Sequence, residues 1–281
     1  MGKLKPSEYL LKRDLGEMDR LRLQARVWEP EAERMFDEIG IRVGSSALDL
    51  GCGAMGVLAP LARRVGPQGR VVGLDTDLRQ LEVAREYVAE EGLDCVEVAD
   101  ANAYETGWPD ASFDLTHVRF LFAPLGRDEA LLSEVLRLTR TGGVVALEEP
   151  DGASWSCWPE SVAWNRLCTA TFATFEHNGG DFHVGRRLYG MLKNAGLVDV
   201  QVRASVKAIE CDHPYAQLPI QFGRSLREQI VRLGLMTSAE LDEAIEQCAE
   251  SLMSQDRWTL SFTLVQAWGR KPSDGASKDL E

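Results

Sequence analysis

From Ala47 onward the chain alternates short apolar runs with amphipathic stretches of helical length. The apolar runs at 47–50, 71–74, 95–98, 113–118 and 144–148 predict strands, because each is short, rich in Val and Leu, and bounded by turn residues. Between them, 57–65, 78–91 and 128–138 repeat apolar positions at helical spacing and close on Gly66, Gly92 and Gly142. Pro60 fits the first of these helices only within its first turn. Strands joined by helical crossovers predict a parallel, doubly wound α/β sheet.

Upstream, 6–40 reads as helical, with Leu21, Leu23, Val27 and Trp28 interleaved with charges. Pro30 marks a break before a second helix through Met35, Phe36 and Ile39. Tyr9, Leu10 and Leu11 form an amphipathic leader suited to lie over a ligand as a lid or to pack across a homodimer. Downstream of Asp151 the alternation stops. Residues 152–195 carry Trp155, Trp158, Trp164, Phe172, Phe175, Phe182 and Tyr189 and read as helical, with a polar break at Asn178-Gly179-Gly180-Asp181. A strand is predicted at 198–208 and another at 259–268. Between them, 218–252 is helical, with Gly234 ending one helix and Thr237-Ser238-Ala239-Glu240 starting the next as a capping box. The expected total is seven strands with helical cap insertions.

Composition narrows the partners. Lys and Arg number 31 against 44 Asp and Glu, a net charge of −13, which disfavours nucleic acid and anionic membrane. The six cysteines are scattered without a C-x-x-C pair or zinc-ligand spacing, so no metal is expected and a reduced cytoplasm fits. Met-Gly-Lys-Leu-Lys-Pro lacks the apolar core of a signal, and no apolar run approaches the ~20 residues that span a bilayer.

The chemistry gathers where ligands of open α/β sheets bind, at the carboxyl ends of the strands. The first strand ends Asp49-Leu50-Gly51-Cys52-Gly53-Ala54-Met55-Gly56, with three glycines at G-x-G-x-x-G spacing, a weak signal alone. Asp75, followed by Thr76, ends the second strand about 20 residues later, where a carboxylate suits a ribose diol. Asp100, followed by Ala101, ends the third and suits an adenine edge. Asp49 discriminates among cofactors, because an anion there repels a pyrophosphate and welcomes a cation. S-adenosylmethionine carries adenosine at one end, an ammonium at the other and no phosphate.

The run Leu48-Asp49-Leu50-Gly51-Cys52-Gly53, with Val72-Gly73-Leu74-Asp75, Asp100-Ala101, Phe113-Asp114-Leu115 and Gly142-Gly143-Val144, resembles the class I S-adenosylmethionine-dependent methyltransferases over about 40–151. The resemblance implies a Rossmann-like seven-stranded, mainly parallel sheet whose last strand is antiparallel. It implies Gly51 and Gly53 close to the cofactor, Asp75 on the ribose, Asp100 and Ala101 on adenine, and Val118 and Arg119 near the methionine moiety. The expected organisation is a leader or lid at 1–40, a cofactor-binding core at 41–151, an aromatic substrate insertion at 152–195, C-terminal strands at 196–270 with a helical insertion at 211–258, and a disordered tail at 271–281. The activity implied is methyl transfer to a small molecule, and the seven aromatics of 152–195 suggest an aromatic acceptor, an indole-like natural product for example, methylated at carbon, nitrogen or oxygen. An aromatic stripe at helical spacing also serves as plain core. His177 is the first candidate base, then Tyr9 and Glu149, with His183 and His213 behind them; His117 lies within a strand and reads as an interior histidine. A nicotinamide-dependent oxidoreductase and a non-catalytic binding module on the same fold are the alternatives.

Overall fold

In a computed structural model of the chain the described residues are 15–254 and 256–273. Tyr9 and the tail beyond Ser273 lie outside them. Helix α1 (Leu15–Ile39) runs unbroken through Pro30, where two helices are expected from the sequence. Pro30 and Arg26, whose carbonyl loses its intrahelical partner, are both exposed, so the defect faces solvent. Trp28, Ala32, Met35 and Phe36 are fully buried and hold both halves of the helix on the domain.

The core follows as β1 (Ser46–Leu50), α2 (Leu58–Val65), β2 (Arg70–Asp75), α3 (Leu78–Glu90), β3 (Val96–Asp100), β4 (Phe113–Arg119), α4 (Phe122–Leu125), α5 (Asp128–Leu138) and β5 (Thr139–Asp151). Pro60 falls in the first turn of α2, where its missing N–H costs nothing. Asp77 caps α3 by accepting from the Arg79 and Gln80 amides. The remainder is β6 (Ser156–Trp158), α6 (Val162–His177), α7 (Leu188–Asn194), β7 (Val198–Ser205), β8 (Ala208–Glu210), α8 (Leu218–Ser225), α9 (Arg227–Arg232), α10 (Ser238–Leu252), β9 (Trp258–Leu260) and β10 (Thr263–Arg270). The capping box of α10 is present, with Thr237 and Glu240 satisfying each other's backbone N–H.

Among the described residues seven strands form one sheet in the order β3-β2-β1-β4-β5-β10-β7. Only β10 runs antiparallel, and it sits between β5 and β7. The strands expected at 198–208 and 259–268 both break. Ser261 N–H donates to the Lys207 carbonyl and Lys207 N–H to Ser261 Oγ, each at 3.0 Å. This cross-link turns the two chains together out of the main sheet, and β8 and β9 join β6 in a separate three-stranded antiparallel sheet. No helix among the described residues is long and apolar enough to cross a membrane.

A buried polar chain crosses the main sheet. His117 on β4 is fully buried, with Nδ1 2.8 Å from Asp49 Oδ1 on β1 and Nε2 2.8 Å from Glu148 Oε1 on β5. Glu148 Oε2 accepts from Gln266 Nε2 on β10 at 2.7 Å, and the same amide donates to the Glu31 carbonyl of α1. Gln266 Oε1 accepts from the Arg203 guanidinium of β7. Burial lowers the pKa of His117, but its two carboxylate partners outweigh burial and hold it above the ordinary value. The ring is therefore an imidazolium donating through both nitrogens. His117→Gln offers a single amide donor to two buried carboxylates and should cost about 3–5 kcal/mol in denaturant unfolding. The unfolded histidine titrates near pH ~6.5, so its contribution is complete below that pH and is lost as pH rises through the higher folded value. The stability difference between wild type and His117→Gln should accordingly shrink toward alkaline pH; a difference that grows would contradict the imidazolium.

Candidate functional site

A cleft opens over the carboxyl ends of β1, β2 and β4, beside the point where strand order reverses. Its floor is the turn after β1. Val57 N–H donates to Asp49 Oδ2 at 2.9 Å, so the aspartate that ends β1 also ties down the far end of the turn. Gly56 lies against that carboxylate: a Cβ there would come within 2.0 Å of Asp49 Oδ2, and its φ is +51°. Gly53, at φ +56°, donates its N–H to Asp75 Oδ2 at 2.9 Å. Its Cα faces Gln80, and a Cβ would stand 2.8 Å from Gln80 Oε1. The glycines thus let backbone approach Asp49 on one side and Gln80 on the other.

Asp75 accepts from Gly53 N–H with one oxygen and from Asp77 N–H with the other, at 2.9 Å each. Burial raises its pKa, while these amides and that of Thr76 act the other way. Asp75, Thr76, Asp77 and Gln80 form one wall, and Ala101 to Tyr104 continue it. Asp100 does not join the wall: it is exposed at the end of β3. The Ala101 amide already donates to the Asp75 carbonyl at 3.0 Å.

Across the cleft, β4 contributes Arg119 and the residue after it. Val118 is fully buried within the sheet and does not reach the cleft. Arg119 is 9% exposed; one terminal guanidinium nitrogen donates to the Gly56 carbonyl at 2.9 Å, and the other, Nη1, has no hydrogen-bond partner among the described residues. Phe120 adopts a left-handed backbone at φ +57°, with its N–H on the Glu148 carbonyl at 3.0 Å. That is a costly conformation for an aromatic residue. Phe120 lines the cleft and meets Phe262 edge-on, centroids 5.7 Å apart. Phe182 packs edge-on against both Phe262 and Phe222, at 5.6 and 5.9 Å, and Phe175 completes the wall. From α1, Arg20, Leu21, Gln24 and Ala25 also line the cleft. Arg20 is 2% exposed, donates to Gln24 Oε1 at 2.7 Å and lies 5.0 Å over the Phe222 ring.

The expected bases do not converge here. His177 is exposed at the last turn of α6 and is absent from the cleft wall. Glu149 is fully buried beneath the cleft, where it accepts the N–H groups of Leu121, Phe122 and Ala123 at 2.7 to 3.1 Å. Burial pushes its carboxyl up to about 8 against the pull of those three donors. His183 pairs with Asp151 at 3.0 Å, outside the cleft lining.

Sequence reasoning missed Arg20, Gln24, Gln80, Phe120, Phe222 and Phe262. A signal existed for two of them: Arg20 and Gln24 precede Trp28 at spacings of four, so polar side chains occupy the stripe that Trp28, Ala32 and Met35 bury.

Residues 41–196 match a family described as a methyltransferase domain. The demethylmenaquinone methyltransferase of Bacillus cytotoxicus is 36% identical over 124 residues, 44% of this chain and 51% of that protein. The one from Geobacillus stearothermophilus is 27% identical over 198 residues, 66% of this chain and 83% of that protein. An uncharacterized 37.1 kDa transposon protein of Streptomyces fradiae is 36% identical over 58% of this chain and 46% of its own length. The chain thus spans about half the length of two of these relatives. In fold it is similar to a putative methyltransferase from Bacillus halodurans, with a TM-score of 0.58 and 16% identity, covering 86% of this chain and 99% of that one. It is also similar to an S-adenosylmethionine-dependent methyltransferase from Aquifex aeolicus, with a TM-score of 0.51 and 22% identity, covering 71% and 93%. The family match over more than half of the chain, on the sheet that carries the glycine turn, Asp75 and the cleft, means that this chain belongs to the class I S-adenosylmethionine-dependent methyltransferases.

Proposed function

We propose that this chain methylates a small, flat aromatic acceptor, with S-adenosylmethionine as donor. The observation that carries the reading is the division of one cleft into two halves. One half is polar and built from the glycine turn and Asp75; the other is walled by Phe120, Phe175, Phe182, Phe222 and Phe262. Aromatic rings recognise flat apolar ligands by edge and face contacts. Relatives named for demethylmenaquinone, a quinone, point to the same kind of acceptor.

The residues present fit the donor. Asp75 offers carboxylate lone pairs for a ribose diol, with Thr76 beside it, and Gly51 and Gly53 line the cleft next to them. The Arg119 guanidinium, bonded to the Gly56 carbonyl through one nitrogen, keeps its buried Nη1 as a donor without a hydrogen-bond partner on the cleft wall, suited to the methionine carboxylate. Asp49 lies on the same wall and supplies a negative field toward the ammonium, moderated by the His117 imidazolium behind it. Ala101 flanks the adenine side through its side chain. When bound, the donor supplies an electrophilic methyl group on a sulfonium; the protein's part is to orient the acceptor and keep water out.

Isothermal calorimetry with S-adenosylmethionine and S-adenosylhomocysteine should give saturable binding, and a folded protein that binds neither overturns the cofactor reading. Asp75→Ala should weaken that binding at least about tenfold, ~1.4 kcal/mol, through loss of a charged acceptor. Arg119→Gln should weaken S-adenosylhomocysteine about tenfold and leave methylthioadenosine, which lacks the amino-acid end, unaffected. An equal loss for both ligands would remove Arg119 from the carboxylate.

A further inference from the structure

One short segment contributes to both halves of the cleft, and one buried side chain holds it. The chain after β4 brings Phe120, Leu121, Ala123, Pro124 and Leu125 to the cleft. Leu121 packs on the glycine turn, where a Cβ on Gly51 would stand 3.0 Å from its methyl groups, while Phe120 joins the phenylalanine wall. The carbonyls of the segment have neutral partners: Ala123 accepts from the Asp181 N–H at 2.9 Å, and Leu125 and Gly126 accept from the Tyr104 hydroxyl. Its three consecutive amides, those of Leu121, Phe122 and Ala123, all donate to Glu149.

The pattern of those bonds is that of a carboxylic acid. Oε1 takes two donors, at 2.7 and 2.9 Å, as a carbonyl oxygen with two lone pairs does. Oε2 takes one, at 3.1 Å, as a hydroxyl oxygen does while keeping its proton. The surroundings favour the same form. β4 and β10 place Val118 and Val265 on the face of Glu149, whereas His117, Arg119 and Glu148 occupy the other face of the sheet. From α5, Asp128 bears on it as a second anion, Glu129 is exposed and Glu134 is paired with Arg137. The turn Val184–Arg187 packs on the Glu149 carbonyl through Gly185. Its Arg186, with His183 before it, binds Asp151, and its Arg187 binds Asp128 and Asp181.

Resting on the methyltransferase reading above for what the cleft binds, we infer that Glu149 is a positioning residue that works as an un-ionised acid: it holds residues 120–125 in the cleft wall, and its ionisation releases them. With the segment in place, burial holds the carboxyl up at about 8. Once the segment lifts, water reaches the carboxyl, which loses its proton to solvent as an ordinary glutamate does. The placed segment therefore goes with the more tightly bound proton. Its advantage is complete below the ordinary glutamate range, falls as pH rises toward about 8 and is constant above that. Affinity for a ligand that touches Phe120 or Leu121 falls over the same interval.

The test uses the whole chain and Glu149→Gln, which has the shape of the acid and cannot ionise. In wild type carrying carbon-labelled glutamate carboxyls, one resonance should titrate far above the ordinary range of ~4.3 and be missing from Glu149→Gln. Protection of the Leu121, Phe122 and Ala123 amides from hydrogen exchange, taken relative to Glu149→Gln, should fall about tenfold from pH ~6 to ~7. With S-adenosylhomocysteine saturating, 1-methoxynaphthalene, which carries no charge at either pH, should bind wild type about threefold or more weakly at pH ~8 than at pH ~6. Its affinity for Glu149→Gln should not change with pH. A Glu149 carboxyl that titrates in the ordinary range, or exchange protection that runs parallel in the two proteins, overturns the inference. Probe binding in wild type that is absent or flat with pH removes Glu149 from control of the cleft. Should Glu149→Gln fail to fold, the wild-type titration and the wild-type probe profile decide between the same outcomes. Failure of wild type to bind S-adenosylhomocysteine is a different result: it removes the cofactor reading, while the carboxyl titration and the exchange still decide the state of Glu149.

Discussion

Two carboxylates with no water around them require a cation, and His117 is the group that meets this requirement at the centre of the sheet. Asp49 is 1% exposed and Glu148 fully buried, and each places an oxygen 2.8 Å from a ring nitrogen of His117, so the imidazolium offsets the cost of burying the two carboxylates. The ion triad joins β1, β4 and β5, and Gln266 extends it to β10, to α1 through the Glu31 carbonyl and to β7 through Arg203. Five neighbouring strands are therefore linked side chain to side chain as well as through their ladders. The edge of Phe36 closes over the ring of His117 and keeps the assembly dry. Breaking one link exposes every other to an unpaired charge, so the sheet gains rigidity where its strand ends must hold a ligand.

The cleft inherits its geometry from this arrangement. Asp49 is positioned by His117 and in turn fixes Val57, the residue just before α2, so the glycine turn is anchored at both ends. Gly56 must be a glycine because the carboxylate occupies the space of its side chain. Phe120 adopts a left-handed conformation while its N–H stays on the backbone carbonyl of Glu148, whose side chain belongs to the triad, and that twist turns the chain after β4 into the cleft. The polar and the aromatic surfaces of the cleft thus hang from adjacent residues of one buried network.

How much of this could be read beforehand follows from the range of the interactions involved. The alternation of strands and helices, the count of seven strands and Asp75 at the end of β2 follow from local periodicity and spacing, and they were legible; the antiparallel direction of the last strand came only with the family resemblance. The continuous α1 was not, because the cost of Pro30 depends on which way its side of the helix faces. Asp49 stood out as the informative acid, but its partner His117 is 68 residues away in sequence and invisible to spacing. His177 looked promising because it follows Phe175 closely. Residues two apart on a helix point to opposed sides, so burying Phe175 in the cleft wall sends His177 to solvent. Arg20 and Gln24 carried a local clue, polar groups on a buried stripe, whose meaning depends on Phe222, two hundred residues on.

The broken strands near the end of the chain bear most directly on function. An uninterrupted strand through 259–268 would carry Ser261 and Phe262 along the sheet ladder. The cross-link between Lys207 and Ser261 instead releases the segment at the junction of the two sheets, and Phe262, 2% exposed, enters the middle of the aromatic wall. There it stacks on Trp28 of α1 at 5.3 Å and meets Phe120 and Phe182 edge-on. One residue at a strand break thereby joins the helix that carries Arg20, the loop after β4 and the segment following α6. The irregularity that defeats a periodic reading of the sequence is the same one that closes the aromatic half of the cleft.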